Sequence, residues 1–521
     1  MIEITHMDGY RRGYFIHGDS KVSLPCHARM ERDTIHIGDI TASKPLSYPL
    51  RDHVRKASDM GATTYLRVVR GTPPEVARRI QKKNASLGGE GGVTPVYLSG
   101  HSEYDDPFVS SFLPSDVFLF PAASERSLLS AFFSVRSAHP GALCYVECTP
   151  EEIPVLASAG FDLFPESDRH QEALAAFLDN PTPQYVEMAS CASLRAKTLL
   201  NLLYLDFFSS WEQYVATPQE RQLCISRDAF WRPSIVRWEH DVTARYTPPS
   251  SIVVLLPCSA RKPYSTSQSH RRFIALMKSA LGKRPYASLT QLIVTSPYGI
   301  VPRELETLID YDIVVTGTWT HEEVARARTM LCSLLDKVPE PIVIAHLPEN
   351  ECGVVEGLPV RTIVTSDGHP LSEASMTRLR EALMEVKDQI PPPVETYPKV
   401  RALSRFLYGT DILPPDIVIR GRGQLQAYRG KTAVASIGAV VRPLTSAVTV
   451  QRSWVHVDFE VTGDVFCKGI IDADPSIRPG DEVVVERNGR AVATGTAILP
   501  GTLMTRMQRG KAVKVRKRLK A

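Results

Sequence analysis

The chain has 521 residues, of which 61 are Lys or Arg and 57 are Asp or Glu, so its formal net charge is +4. This balance excludes a uniformly basic, histone-like protein, although charge can still be segregated along the chain. At roughly 150 residues per domain the length predicts three to four domains, and an apolar fraction of 43% excludes a disordered chain.

Cysteine use and the absence of a targeting pattern indicate the compartment. No run approaches the ~18 consecutive apolar residues that cross a bilayer. The N-terminal sequence MIEITHMDGYRRGYF lacks a signal-peptide pattern. The nine cysteines are odd in number and scattered, which implies no disulfide framework. We therefore expect a cytoplasmic protein with no membrane partner.

Proline clusters mark the predicted domain joints. The sequences TPPS at 247–250 and IPPPVETYP at 390–398 interrupt both helix and sheet. Together with the β-rich end of the chain, they predict four domains, which are 1–246, 247–390, 391–443 and 444–521.

The first segment alternates between strand and helix patterns. Short β-rich runs lie at 63–69, 94–100, 116–123 and 142–149, and helical patterns at 73–85, 124–139 and 192–216. This alternation predicts parallel βα units. The glycine-rich run at 88–92 lacks the GK[ST] ending of a P-loop, so it predicts a turn and no nucleotide site.

The middle segment predicts a doubly wound αβα layer. Its β-rich runs lie at 251–257, 291–297, 312–317, 341–348 and 361–366, and its helical patterns at 267–282, 321–337 and 372–387. Ligand sites in such folds lie at the carboxyl ends of the strands. We therefore expect functional residues directly after the first run, which ends at residue 257.

The densest chemical group follows that run. Cys258 is expected beside Arg261, Lys262 and a helix N-terminus, which can lower a thiol pKa from ~8.5 to ~3.5–7.5. Ser267 can cap the helix, and His270 one turn later can transfer protons at neutral pH. The spacing alone leaves open that Cys258 is a small buried core residue. It also leaves open that Ser267 only caps the helix.

The same run resembles the signature PC-x3-KPY-x2-S-x2-H of the archaeosine synthase family. Every fixed position matches, namely Pro257, Cys258, Lys262, Pro263, Tyr264, Ser267 and His270. The sequences SPYGIVPRELE at 296–306 and YDIVVTG at 311–317 also resemble the middle domain of this family. We therefore expect the catalytic domain at 247–390.

The end of the chain resembles a PUA domain, an RNA-binding β-barrel. The matching positions are Val465-Phe466, Gly469, Asp472-Ala473-Asp474, 477–483, Gly495 and 509–513. Residues 501–521 contain no Asp or Glu, and clustered cations favour phosphate binding, although a basic run can also be a solvated tail. The expected RNA-binding residues are Arg506, Arg509, Lys511, Lys514, Arg516, Lys517 and Arg518.

The family resemblance implies a tRNA-modifying transferase. Members act on 7-cyano-7-deazaguanine in the D-loop of archaeal tRNA and convert its nitrile towards the amidine of archaeosine. The resemblance implies lysine as the amine donor and a radical-SAM protein as partner. Glutamine and ammonia remain open as donors. No cofactor is expected, because attack on a nitrile needs no ATP.

The residue chemistry agrees with this activity. A Cys258 thiolate can attack the nitrile carbon and form a covalent thioimide, which an amine then displaces. Lys262 can hold the thiolate or polarise the imide nitrogen, and His270 can shuttle protons. Ser267 or Tyr264 can position the base. These five residues are the expected catalytic set.

The first segment resembles a diverged tRNA-guanine transglycosylase domain of TIM-barrel ancestry. The residues 160–167 match a strand end whose nucleophilic Asp is replaced here by Pro165, with Asp162 before it and Glu166 after it. The zinc pattern C-x-C-x2-C is missing, so no structural metal and no base exchange are expected. The alternatives are an active transglycosylase and a non-catalytic tRNA scaffold for a radical-SAM protein. Resemblance to transglycosylases also allows a homodimer.

Overall fold

The computed structural model describes residues 124–313, 318–421, 424–507 and 509–519, together with shorter stretches nearer the N-terminus. Those stretches are 2–7, 11–17, 20–31, 34–37, 46–49, 95–97 and 117–120. The strand predicted at 63–69, the helix at 73–85, the glycine-rich run at 88–92, residues 314–317 of a predicted strand and Lys520 lie outside the described residues.

The chain divides into two compact units. The first comprises Met1–Thr217, Val455–Val483 and Gly495–Arg516, and the second comprises Pro218–Trp454, Val484–Thr494 and Lys517–Ala521. No helix among the described residues is long and apolar enough to cross a membrane.

The described residues before 166 contain ten strands. They are β1 Ile2–Met7, β2 Arg11–His17, β3 Ser20–Leu24, β4 Cys26–Glu31, β5 Thr34–Ile37, β6 Leu46–Pro49, β7 Pro95–Tyr97, β8 Val117–Phe120, β9 Leu143–Val146 and β10 Leu163–Pro165. Strands β1–β3 form one antiparallel sheet. The other seven form a second sheet in the order β6-β5-β4-β10-β9-β8-β7, in which β4, β10, β9, β8 and β7 are parallel.

Between residues 124 and 217, which the structure describes throughout, six α-helices accompany this sheet. They are α1 Glu125–Ala138, α2 Ile153–Ala159, α3 Asp168–Asp179, α4 Pro183–Ser190, α5 Leu194–Leu205 and α6 Phe208–Trp211. Ser124 caps α1, and Phe132 of that helix stacks on Phe161 with ring centroids 4.0 Å apart. Because α1 connects β8 to β9 and α2 connects β9 to β10, the predicted parallel βα units are confirmed in this part of the chain.

In the second unit, the described residues between 218 and 453 contain eleven further strands. They are β11 Gln222–Cys224, β12 Ile252–Pro257, β13 Thr290–Thr295, β14 Gly299–Pro302, β15 Tyr311–Ile313, β16 Ile342–Ala345, β17 Arg361–Val364, β18 Val418–Arg420, β19 Leu425–Arg429, β20 Thr432–Ile437 and β21 Val441–Pro443. Its helices are α7 Pro233–Arg245, α8 Gln268–Leu281, α9 Lys283–Ser288, α10 His321–Leu335, α11 Glu373–Glu385 and α12 Pro398–Tyr408.

The central sheet of this unit has the order β14-β13-β12-β16-β17, with only β14 antiparallel to its neighbour. Side chains alternate along β12, so its two faces enter different cores. Val253 and Leu255 share one core with residues of α7 and α10. Ile252, Val254 and Leu256 share the other with residues of α8 and α11. The predicted αβα layer is therefore confirmed.

The unit that contains this layer begins upstream of the predicted boundary at 247. Helix α7 buries Ile235, Trp238 and Val242 in the same core as β12 and β13, and the indole nitrogen of Trp238 donates to the carbonyl of Ile300 at 3.1 Å. The short strand β11 pairs with β15, also in this unit. The linker at 247–250 thus joins two elements of one core, and the compact unit starts at Pro218.

The end of the chain is β-rich, as expected. Strands β18–β21 form a four-stranded antiparallel sheet, and a six-stranded sheet follows with β22 Trp454–Val457, β23 Val465–Phe466, β24 Ile470–Ala473, β25 Glu482–Arg487, β26 Arg490–Ala497 and β27 Lys511–Arg518. A short helix, α13 Gly501–Met504, precedes β27. Asn488 and Gly489 both have positive φ, as a two-residue hairpin turn between β25 and β26 requires. At Gly495 a Cβ would lie 2.3 Å from the carbonyl oxygen of Lys514, so only glycine fits there.

Candidate functional site

Cys258 lies directly after the central strand of the αβα sheet. Five of the six residues of β12 are buried, because they lie between two parallel neighbours and under helices on both faces. The strand ends at Pro257, and Cys258 itself is exposed. Of the two interpretations left open by the sequence, the structure supports an accessible thiol over a core residue.

His270 holds the backbone beside this thiol. Ser267 caps α8 by accepting a hydrogen bond from the His270 amide at 3.3 Å, which places the imidazole in the first helical turn. Nε2 of His270 donates to the carbonyl of Pro257 at 2.9 Å, and Nδ1 accepts from Nη2 of Arg303 at 2.7 Å. Both ring nitrogens are thus engaged, and the residue preceding Cys258 is fixed to the helix.

The same contacts set the charge of His270. Burial, followed by the adjacent Arg303 guanidinium, lowers the pKa of His270 to about 3. The imidazole is therefore neutral at physiological pH and has no free nitrogen for a proton. These contacts do not favour the proton shuttle expected of His270, and both partners are tertiary contacts that its position on the helix does not reveal. The geometry makes it a positioning residue.

Arg303 and Glu306 form a buried ion pair behind the site. Nη1 of Arg303 lies 2.9 Å from Oε2 of Glu306, and their side chains are 1% and 7% exposed. Oε2 of Glu306 also accepts from the amide of Ser265 at 3.0 Å. The pair thus contacts the motif both at Ser265 and, through Arg303, at His270. It ties the loop after Cys258 to the segment that follows β14.

Tyr264 supports the site from within the core. It is fully buried, and its hydroxyl lies 2.9 Å from the hydroxyl of Tyr311 and donates to Thr295 at 3.4 Å. Thr295 and Tyr311 also share a hydrogen bond. Burial and the nearby Cys258 raise the pKa of Tyr264, so the phenol stays protonated. Tyr264 is therefore placed to orient Thr295 and Tyr311.

Lys262 contacts the aromatic ring of Tyr311. Its Nζ is 3.9 Å from the centroid of the Tyr311 ring, a cation–π contact. Partial burial lowers the pKa of Lys262, while Cys258 and Asp312 oppose the shift. Arg261 is exposed, and its backbone carbonyl accepts from Ser259 at 3.1 Å. Of the two neighbouring cations, Lys262 is the one that interacts with the thiol.

The thiol pKa departs from expectation. Desolvation by surrounding protein atoms, followed by the Glu351 carboxylate, raises the pKa of Cys258, although a hydrogen bond from Thr295 and the Lys262 charge act in the opposite direction. The predicted lowering of this pKa is therefore wrong. Although Cys258 is exposed as a residue, the protein atoms around its sulfur exclude enough water to raise the thiol pKa. Among the described residues, Lys262 is the cation that opposes this shift.

Glu351 is an unexpected member of the site. It lies in a 3₁₀ helix, Glu349–Val354, that follows β16, the strand beside β12. It is buried, and desolvation raises the pKa of its carboxyl to about 8. A buried carboxyl with a pKa close to neutrality thus lies near Cys258. The sequence run ENECGV offers no motif that would have identified it.

The expected RNA-binding residues occupy β27 and the turn before it. Lys514, Arg516, Lys517 and Arg518 are exposed, as are Arg506 and Arg509. Lys511 is engaged with Asp464 at 2.7 Å, and Arg516 forms two 2.6 Å hydrogen bonds with the Glu482 carboxylate. Lys514, Arg516 and Arg518 share one face of the strand because side chains alternate.

The transglycosylase-like strand end carries no accessible nucleophile. Asp162 is 1% exposed and pairs with Arg136 at 2.5 Å and with Arg11 at 3.4 Å. Pro165 ends β10, and Glu166 lies 3.9 Å from Arg29. In the part of the chain that the structure describes, no group of three or more His, Cys, Asp or Glu residues is arranged to hold a metal.

Comparisons with known families define the class of protein. The family model "Domain of unknown function (DUF5591)" matches residues 235–383, which contain the thiol site. The PUA domain model matches residues 447–519. The chain therefore combines an αβα domain that carries Cys258 with a C-terminal PUA domain, and the resemblance of its end to a PUA domain is confirmed.

The individual relatives are more specific. The chain is 36% identical over 342 residues to archaeosine synthase subunit alpha of Thermococcus kodakarensis, a match that covers 62% of this chain and 60% of that protein. It is 34% identical over 293 residues to archaeosine synthase of Methanocaldococcus jannaschii, covering 52% and 50%. The matched region thus spans only 50% to 60% of these relatives. The resemblance to the archaeosine synthase family that the motif implied is confirmed.

A further relative has a different name. The chain is 36% identical over 113 residues to tRNA-guanine(15) transglycosylase of Thermococcus onnurineus, a match that covers 20% of this chain and 19% of that protein. This similarity is far shorter than the similarity to the archaeosine synthases.

Proposed function

We propose that this protein acts in archaeosine biosynthesis by adding an amine to the nitrile of 7-cyano-7-deazaguanine in tRNA. The observation that carries the proposal is an accessible Cys258 at the end of the central strand, with its backbone fixed by His270. The similarity to archaeosine synthases and the PUA domain support tRNA as the substrate. The target base must leave the tRNA core to reach the thiol.

The reaction proceeds in two additions. The sulfur of Cys258 attacks the nitrile carbon, one C–N π bond breaks, and the thiol proton ends on the nitrogen, which gives a thioimide. A neutral amine then adds to the same carbon. The C–S bond breaks, one amine proton returns to the sulfur, and an amidine remains. No oxidant, reductant or nucleotide is consumed.

The residues around Cys258 have distinct roles in this scheme. Lys262 is the nearest cation and stabilises the negative charge that develops on the nitrile nitrogen. Thr295 donates to the sulfur and favours the thiolate. His270, Arg303, Ser267 and Tyr264 position these groups. The basic residues of β27 anchor the tRNA.

The finer features of the proposal concern small molecules and partners. We propose free lysine as the amine donor and a radical-SAM protein that releases archaeosine from the lysine adduct. A homodimer is compatible with this scheme. Neither a cofactor nor a metal is needed by the chemistry of the two additions.

The test uses tRNA that carries 7-cyano-7-deazaguanine. The full chain is incubated with this tRNA and lysine, glutamine or ammonium, and the digested nucleosides are analysed by mass spectrometry. We expect a lysine adduct from the wild type and none from Cys258→Ala, although the variant still binds tRNA. Cys191→Ser, which removes another exposed thiol, should retain activity. Full activity in Cys258→Ala contradicts the proposal.

Two alternatives make different predictions. An active transglycosylase would exchange labelled guanine into tRNA, but Pro165 and the buried, paired Asp162 provide no nucleophile at the matching strand end. A non-catalytic scaffold would give no amine adduct unless a partner protein is added. The mass-spectrometric assay, with added arms that contain labelled guanine or the partner protein, therefore separates all three functions.

A further inference from the structure

Glu351 and Cys258 follow neighbouring parallel strands. Leu255 of β12 is paired with Ala345 of β16, and the amide of His346 donates to the carbonyl of Leu255 at 3.0 Å. Cys258 lies three residues after Leu255, and Glu351 lies in the 3₁₀ helix after β16. Because parallel strands end at the same edge of a sheet, both side chains are at one edge. Their charges are close enough to interact.

The Glu351 carboxyl is buried, and within the described part of the chain its Oε2 accepts no hydrogen bond. The residue is 5% exposed. The buried carboxyls elsewhere in this domain are paired, as Glu306 is with Arg303 and Glu304 is with Tyr246. A buried, unpaired carboxyl is costly, so its presence indicates a role other than stabilising the fold.

We propose that Glu351 transfers the proton of the Cys258 reaction. Its carboxylate takes the thiol proton as the sulfur–carbon bond forms, and the resulting carboxylic acid delivers that proton to the imide nitrogen. In the second addition it takes a proton from the attacking amine and returns it to the departing sulfur. Glu351 is regenerated after each addition. This inference rests on the proposed function, because it assigns the proton transfers that this reaction requires.

Glu351 takes the proton-transfer role that the sequence suggested for His270. His270 has both ring nitrogens engaged in hydrogen bonds, and Nζ of Lys262 lies in a cation–π contact with the Tyr311 ring. A proton acceptor works best when its pKa lies near the operating pH, and burial raises the pKa of Glu351 to about 8. Glu351 is thus the described group near the thiol that can both accept and return a proton.

Other titratable groups surround this pair. Helix α10 packs against the 3₁₀ helix, and Val324 lies close to Gly353. The charged or titratable residues on α10, on the 3₁₀ helix and just after it, and on the Cys258 loop are Arg261, Lys262, Tyr264, His321, Glu322, Glu323, Arg326, Arg328, Cys332, Glu349, Cys352 and Glu356. Because both groups become anionic on ionisation, the Glu351 carboxylate raises the pKa of the Cys258 thiol.

The test compares Glu351→Gln with a matched control, Glu356→Gln. Glu356 is an exposed carboxylate five residues further along the chain. The first measurement needs no substrate and follows the alkylation of Cys258 by iodoacetamide against pH, with peptide mass spectrometry to isolate this cysteine. In Glu351→Gln the midpoint should move to lower pH because the neighbouring negative charge is gone. Glu356→Gln should leave the midpoint unchanged.

The second measurement follows lysine-adduct formation on the nitrile-bearing tRNA. The wild-type rate should rise with pH towards the Glu351 pKa of about 8. At pH 7 Glu351→Gln should be slower by about 100-fold or more, with unchanged tRNA binding, and the deficit should shrink at higher pH as the thiolate forms. Glu351→Asp keeps the carboxyl and should retain part of the activity.

The outcomes separate the two proposals. A wild-type protein that forms no adduct refutes the proposed function, whereas the alkylation midpoints still report whether Glu351 and Cys258 are coupled. An active wild type whose Glu351→Gln variant works as well as Glu356→Gln overturns the proton-transfer role. An unshifted alkylation midpoint in Glu351→Gln overturns it as well. A Glu351→Gln variant that is slow at every pH and also fails to bind tRNA has lost its fold. Glu351→Asp, which keeps the carboxyl, then decides the proton-transfer role: partial activity with intact tRNA binding supports it, and no activity with intact tRNA binding overturns it.

Discussion

Arg303 donates a hydrogen bond from Nη2 to Nδ1 of His270 across 2.7 Å, and this contact determines what His270 can do. Nε2 must carry the imidazole proton, because it donates to the carbonyl of Pro257. The histidine of the motif is therefore a fixed link between a buried arginine and the backbone before Cys258. The first two predictions follow from this link.

Removing the guanidinium should destabilise the αβα domain. Arg303→Met leaves the Glu306 carboxylate buried and His270 Nδ1 unpartnered, and breaking a buried pair from one side costs about 3–5 kcal/mol. The measurement is native-state hydrogen exchange of the amides in β12 and β13. The control is Arg361→Met, since its pair with Glu385 is about half exposed and contributes at most about 1 kcal/mol. Equal losses in the two variants would contradict the buried link.

Because His270 is buried with a lowered pKa, the fold should become less stable as the pH falls. The pKa of His270 is lowered to about 3 in the folded chain but is about 6.5 when unfolded, so between these values the unfolded state binds the extra proton. The free energy of unfolding should therefore fall as pH drops from 6.5, by at most about 1.4 kcal/mol for each pH unit.

The measurement for this second prediction is denaturant unfolding of the wild type and His270→Gln between pH 4 and 7. The variant should show a shallower dependence on pH. It should not be flat, because His346, whose pKa burial lowers to about 4, acts with the same sign. An unchanged slope in His270→Gln would show that the imidazole is protonated in the fold.

The contrast between Ser267 and His270 shows how far the sequence predicts the site. The cap at Ser267 is local, since its partner lies three residues away, and it was predicted correctly. The central strand before Cys258 also follows from its apolar run. Arg303 is 33 residues from His270 and reaches it only when β13 and β14 pair, so periodicity cannot place it. The direction of the Cys258 pKa shift depends on desolvation and on Glu351, which are likewise products of tertiary packing.

Thr295→Val should raise the pKa of the Cys258 thiol, whereas Glu351→Gln should lower it. The Thr295 hydrogen bond favours the thiolate, so its removal should move the alkylation midpoint of Cys258 to higher pH. At neutral pH adduct formation should slow, and raising the pH should restore it. Thr329→Val serves as the control and should leave the midpoint unchanged, because the Thr329 hydroxyl is exposed on α10 and donates to the Ala325 carbonyl of the same helix. A Thr295→Val midpoint at or below that of the wild type would contradict this prediction.

The basic residues of β27 should contribute unequally to tRNA binding. Lys514 is exposed and shares a face with Arg516 and Arg518, whereas the charge of Lys511 is already offset by Asp464 at 2.7 Å. Each phosphate contact contributes about 0.7 to 0.9 to the slope of log affinity against log salt. Lys514→Gln should therefore weaken binding and reduce that slope by about one contact. Lys511→Gln should change both less.

Fluorescence anisotropy of labelled tRNA at several KCl concentrations measures both quantities. The comparison separates phosphate binding from general electrostatics, because the two variants remove the same formal charge from the same strand. Equal losses of slope would mean that net charge alone attracts the tRNA. A reduced slope only in Lys514→Gln would place a phosphate contact on the face that Lys514 shares with Arg518, and the next variant to examine is then Arg518→Gln, which should reduce the slope by a similar amount.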